Sequence, residues 1–203
     1  MKERALRLLL VLLAVDVACH VIANASAVKL IGGGSFVFTV GALAYPITYT
    51  VQDVMSEVYG ERIARWSVLC AFVACAVMAV FLRVAVAIPE APASTVGACF
   101  PAVFDATPRL TLSSLAAALV GGLVNTRAFA YFRVDRGSSL TLSKLGSTAL
   151  GQALDSVVFV HAAFLGVLPT EVLWGMIASQ YAAKMLVAAG TLPLSHYVIA
   201  RAR

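Results

Sequence analysis

Long apolar runs, separated by short polar stretches, dominate the chain. They cover approximately residues 5–23, 36–52, 66–88, 110–132, 145–168 and 172–199. A helix rises about 1.5 Å per residue, so about 20 apolar residues cross the hydrocarbon of a bilayer. The pattern predicts an all-α integral membrane protein, a bundle of about six transmembrane helices forming one domain over residues 1–203. The second run is short unless it continues through "QDVMSEV". The sixth is long and contains Pro193, which would kink it or end it early. Between the third and fourth runs, "PEAPASTVGACFPAVFDATPR" reads as an irregular or re-entrant connection, with Phe100 and Phe104 resting at the membrane interface.

Charge fixes the expected orientation. With the N-terminus in the cytoplasm, the inner segments carry ten basic residues: Lys2, Arg4, Arg7, Arg62, Arg65, Arg133, Arg136, Lys144, Arg201 and Arg203. The outer segments carry two, Lys29 and Arg109, while Arg83, Arg127 and Lys184 lie within spans. That bias predicts that both the N-terminus and the C-terminus are cytoplasmic. Lys2, Arg4 and Arg7 before "LLLVLLAVDVAC", with "IANASA" after it, also resemble a secretory signal. Asp16 and His20 interrupt that apolar run, and the segment is expected to stay as the first helix.

Composition agrees. Hydrophobic residues make up 61% and charged residues 12% of the chain, against about 25% charged in soluble proteins. The lipid bilayer is the expected surroundings, and the net charge of +5 is explained by sorting among loops, so no nucleic-acid partner is expected. Cys19, Cys70, Cys75 and Cys99 show no zinc or redox spacing, and neither a metal nor a cofactor is expected.

Polar residues inside the spans carry the candidate chemistry, because a charge at a helix centre costs about 2.5–3.5 kcal/mol and must face a cavity or a partner. In the fifth span, Thr148, Gln152, Asp155 and Phe159 share one helical face. A carboxylate accepts two parallel N–H bonds, an amide reads another edge, and a ring stacks, which together suit a planar hydrogen-bonding ligand. The alternative is an interhelical clamp pairing Asp155 with Lys184 or Arg127. The fourth span echoes the fifth at an offset of 30, with Gly121, Asn125 and Phe129 falling on Gly151, Asp155 and Phe159, and Gly122 on Gln152. Such an echo suggests related helices packed across a site, or glycines that merely permit close packing. In the first span, Asp16, His20 and Asn24 form a polar stripe, either a proton relay or substrate contact, or a local pair of Asp16 with His20. His161 and His196 are expected to serve packing and the interface.

The stretch "TYTVQDVMSEVYGERIARW" gathers Asp53, Glu57, Glu61, Arg62 and Arg65. It predicts a cytoplasmic charge cluster, with Asp53 deepest, controlling release, and a helix break at Tyr59-Gly60.

These blocks resemble the queuosine precursor transporter family, also classed as vitamin-uptake-like transporters. The resemblance covers most of the chain. It rests on "TYTVQDVMSEVYGERIAR" and "STALGQALDSVVFVHAAF", with support from Asn24 and from Tyr181 and Lys184 in "YAAK". One block departs: the family's Gly-Gln-x-x-Asp is replaced by Gly121-Gly122-Leu123-Val124-Asn125. The resemblance implies import of 7-cyano- and 7-aminomethyl-7-deazaguanine for salvage of the tRNA nucleoside queuosine. Asp155, Gln152, Phe159, Asn125, Phe129 and Asn24 would then contact the substrate, with Lys184 as a charge partner.

Two other classes stand beside this expectation. An intramembrane enzyme would need a metal or nucleophile motif, and none is found. A substrate-binding subunit of an energy-coupling-factor transporter, for another purine-like or vitamin-like molecule, would need an ATPase module as partner. No phosphate-binding loop occurs in this chain, and a second copy of it is also open as a partner.

Overall fold

The computed structural model describes residues 3–33, 36–91, 94, 95, 97, 99–132 and 136–202. Its elements are α1 (Glu3–Ser26), a hairpin of β1 (Leu30–Gly33) and β2 (Phe36–Thr39), a 3-10 turn (Val40–Leu43), α2 (Tyr45–Tyr59), α3 (Glu61–Ala87), the short α4 (Cys99–Phe104), α5 (Thr107–Ala130), α6 (Leu140–Phe164) and α7 (Thr170–Ala202).

Helix ends follow local chemistry. Pro46 and Pro108 fall in the first turns of α2 and α5, where a missing N–H costs nothing. Gly60, at φ 88°, separates α2 from α3 in a backbone region that favours glycine. Ser139 caps α6 by accepting the backbone N–H of Leu142 at 3.3 Å. At the other end of α6, Arg109 donates to the carbonyls of Ala162 at 3.1 Å and Leu165 at 2.7 Å, satisfying groups that the helix leaves open. Pro193 falls inside α7 and does not end it.

Five of the six expected spans are single long helices; the second is not. Residues 36–39 pair with 30–33 as an antiparallel hairpin, with Gly33 opposite Phe36 and Leu30 opposite Thr39. The helix proper begins only at Tyr45 and continues through "QDVMSEV" to Tyr59. At 15 residues α2 is about 22 Å long, short of the roughly 30 Å hydrocarbon core. Among the described residues, four helical segments are long and apolar enough to cross a membrane: Glu3–Ser26, Arg62–Ala87, Cys99–Asn125 and Thr170–Thr191. α6 has the length, but Lys144, Gln152 and Asp155 lower its hydropathy, and all three are buried. The expected irregular connection contains α4, where Phe100 and Phe104 meet at 4.8 Å between ring centroids.

Burial runs opposite to that of a water-soluble globule. The outward face of α3 presents Trp66, Leu69, Val73, Val77, Val80, Phe81 and Val84, while Asp16, Asn24, Gln152, Asp155, Gln180 and Lys184 are buried. Apolar side chains outward and ionisable groups inward is the arrangement a bilayer imposes. The chain is an all-α membrane protein with a small hairpin inserted between α1 and α2.

α5 and α6 pack against each other most closely. A methyl group on Gly121 would come within 2.8 Å of Gly151 O and of Asp155 Cβ. A methyl group on Gly151 would come within 2.9 Å of Gly121 O and 2.8 Å of Asn125 Cβ. The offset-30 echo is therefore a local two-fold crossing of two antiparallel helices, with Gly at its centre and Asn125 and Asp155 on either side. Gly122 does not share in it, since a Cβ there meets nothing within 4 Å.

At one end of the bundle, the Tyr59 hydroxyl donates to Ala5 O at 2.7 Å, bringing the start of α1, the end of α2 and the start of α3 together.

Candidate functional site

Five helices, the hairpin and the 3-10 turn converge on one small polar cavity. α1 supplies Ala23 and Asn24, and the turn after it Ala27; the hairpin and 3-10 turn supply Thr39 and Ala42; α2 supplies Tyr45. Ser114 and Ala117 come from α5, Asp155 and Phe159 from α6, and Gln180 from α7. The space is about 10 Å³, room for about one water. Ligand sites usually enclose about 300–1,000 Å³, so a bicyclic ligand enters only if the surrounding elements move.

Asp155 and Lys184 form an ion pair in which each residue is only 2% exposed. Of the two clamp partners expected for Asp155, Lys184 is the one used; Arg127 is exposed near the end of α5. The Lys184 ammonium also stands 5.2 Å from the centroid of the Tyr45 ring, within cation–π range. The Tyr45 hydroxyl is hydrogen-bonded to Ser114 Oγ and lies 3.5 Å from Asn24 Nδ2. Thr39 Oγ1 donates to Gln180 Oε1 at 3.4 Å.

Of the expected face of α6, Gln152, Asp155 and Phe159 are buried and Thr148 is half-buried. Its members do different things. Asp155 and Phe159 line the cavity; Gln152 does not, yet it is 1% exposed and neither atom of its amide has a partner. Asn125, half-buried, also does not line the cavity, and its Oδ1 is buried without a partner. Asn24 lines the cavity, donates to His20 O at 2.9 Å and leaves its own Oδ1 unpaired. The Phe129 side chain lies outside the described residues.

The polar stripe of α1 forms a second buried cluster, joined to the first through Tyr45. Asp16 is 0% exposed. It accepts from Gln52 Nε2 of α2 at 3.2 Å and from Ser67 Oγ of α3, and His20 Nδ1 stands 3.4 Å from its Oδ1. The same Nδ1 is 2.9 Å from Asp16 O, an atom that can only accept, so Nδ1 carries a hydrogen. The His20 ring meets the Tyr45 ring edge-on at 5.6 Å. The local pair of Asp16 with His20 is present, and it also ties α1 to α2 and α3.

In the charge cluster, Arg62 and Arg65 are exposed in the first turns of α3, at the end where Tyr59 meets Ala5. The side chains of Asp53, Glu57 and Glu61 lie outside the described residues, and so does that of His196. His161 packs edge-on against Trp174 at 5.6 Å, as expected for a packing role.

The profile of a family described as "Putative vitamin uptake transporter" matches residues 39–198, which contain every cavity residue except Ala23, Asn24 and Ala27. The chain belongs to that family. It is also 27% identical, over 178 residues, to a Bacillus subtilis (strain 168) protein named "Probable queuosine precursor transporter", an alignment covering 87% of this chain and 78% of that one. No solved structure matches it. Membership in the family makes the chain a transporter, not an enzyme, and a multi-pass protein of the bacterial inner membrane.

Tyr45, Ser114, Thr39 and Gln180 were not singled out from the sequence. Gln180 was within reach, because it stands four residues before Lys184 on the same helical face. Tyr45 and Thr39 were hidden by reading residues 36–52 as one uniform helix.

Proposed function

We propose that this chain imports queuosine precursors, 7-cyano-7-deazaguanine and/or 7-aminomethyl-7-deazaguanine, for tRNA queuosine salvage. One observation carries the reading: a buried carboxylate, Asp155, on the wall of a polar cavity, with an aromatic ring beside it and an unpaired amide one turn away. A deazaguanine offers a ring N–H next to an amino group, the bidentate partner of a carboxylate. Phe159 stacks on the bicycle, and Asn24 Oδ1 and the Gln152 amide supply buried hydrogen-bonding capacity that lacks a protein partner. The family supports a transporter, and the name of the Bacillus relative supports the same substrate class.

The cycle needs two sides. The basic bias assigns the end bearing Arg62 and Arg65 to the cytoplasm, where Asp53, Glu57, Arg62 and Arg65 control release. Asn125 and Phe129 approach the ligand from α5 once the helices part.

The test is uptake of radiolabelled deazaguanine into vesicles containing the purified protein. Asp155→Asn should abolish uptake while leaving membrane insertion intact. Normal uptake by a well-inserted Asp155→Asn protein would remove the carboxylate from the mechanism.

A further inference from the structure

The carboxylate on the cavity wall already has its own cation. Asp155 is paired with the Lys184 ammonium, which also lies against the Tyr45 ring. Besides Asp155, the polar residues lining the space, Asn24, Thr39, Tyr45, Ser114 and Gln180, are uncharged. Across Tyr45, Asp16 is already met by His20, Gln52 and Ser67 within its own cluster. Among the described residues, the charges at the site are therefore one carboxylate on the cavity wall and the ammonium paired with it.

We propose that Lys184 sets the charge class of the cargo, so that the site takes an electroneutral planar base and rejects a cationic one. This rests on the assignment of the cavity to deazaguanines. A neutral base whose adjacent N–H groups take over Asp155 leaves the site neutral. Lys184 then gives up a carboxylate contact but keeps the face of Tyr45, which holds it beside the pair it left. A cationic base leaves two cations and one carboxylate in a place where water screens little. The penalty depends on the charge count and not on which end of the ligand meets Asp155. Removing Lys184 inverts the count: the cationic base then neutralises Asp155, and the neutral base leaves a buried anion.

The experiment is equilibrium competition on the full-length protein in lipid nanodiscs, against radiolabelled 7-cyano-7-deazaguanine. The competitors are 7-aminomethyl-7-deazaguanine and its near-isosteric neutral analogue, 7-hydroxymethyl-7-deazaguanine. In the wild type the hydroxymethyl base should compete at least tenfold better than the aminomethyl base. Lys184→Gln should erase or reverse that ratio, and Lys184→Arg should keep it. Equal competition in the wild type, or an unchanged ratio in Lys184→Gln, overturns the role of Lys184 while leaving the transport assignment standing. If Lys184→Gln does not fold, the wild-type ratio between the two matched analogues decides. Absence of binding by all three bases to the wild type sinks the deazaguanine assignment itself, and this inference with it.

Discussion

Adding one methyl group to Gly121 tests the α5–α6 crossing that positions Asp155. An alanine Cβ at this position would stand 2.8 Å from Gly151 O and 2.8 Å from Asp155 Cβ. Carbon contacts are optimal at about 3.5–4.0 Å, so the helices must separate by roughly 0.7–1 Å. A gap of that size forfeits about a quarter to a half of the contact energy along the crossing. Gly122→Ala is the internal control, because its Cβ meets nothing within 4 Å and it lies in the same helix. Both substitutions gain the same helix propensity, about 0.8–1.0 kcal/mol. The difference between them therefore isolates the packing cost, about 1–3 kcal/mol for an overpacked contact. For a chain of this size that corresponds to about 2–12 °C in Tm. The assay is thermal unfolding of both variants in detergent, followed by vesicle uptake. Gly121→Ala should melt below Gly122→Ala and lose uptake. Gly151→Ala, the counterpart across the crossing, should match it in Tm but cost less uptake, since it presses on Asn125 and not on Asp155. Equal melting of the Gly121→Ala and Gly122→Ala proteins would refute the close crossing.

Lys184→Met should destabilise the protein by about 3–5 kcal/mol, because it strands a buried carboxylate, and the Asp155→Asn/Lys184→Met double variant should recover much of that in the same melts; an additive double variant would refute the pairing. Phe159→Ala should weaken base binding by about 1–3 kcal/mol if the ring stacks, as measured by direct titration. Asn125→Asp should shift competition toward the cationic base, since an added carboxylate attracts it in a low-dielectric site; an unchanged ratio would leave residue 125 a packing residue of the crossing. A cysteine at Arg62, in a background lacking Cys19, Cys70, Cys75 and Cys99, should resist an impermeant thiol reagent outside intact cells, and rapid labelling would invert the topology. If the Asp16–His20 pair carries a proton in the cycle, an inward proton gradient should accelerate uptake, and His20→Gln should abolish the acceleration; equal rates would leave the pair as a tie between α1, α2 and α3.

By itself, the sequence determined the membrane class, five of the helices and the buried face of α6. These follow from hydropathy and helical periodicity, which act over a few turns of chain and need no knowledge of distant partners. The break at Gly60 was legible for the same local reason. The hairpin also had a local signal, a glycine run flanked by Leu30, Ile31 and the β-favouring Phe36, Val37 and Phe38. Its apolar residues made it look like the start of a span, because strand and helix share hydrophobicity and differ only in period. Only the tertiary structure decided which cation answers Asp155. Lys184 and Arg127 were equivalent in sequence, but α7 delivers Lys184 to the interior whereas Arg127 stays exposed near the end of α5. It also decided that Tyr45 joins the two buried clusters, with His20 against its ring edge and Lys184 over its face. Those contacts link α1, α2 and α7 across most of the chain, and the sequence carries no local trace of them because they arise only when three separate helices pack together.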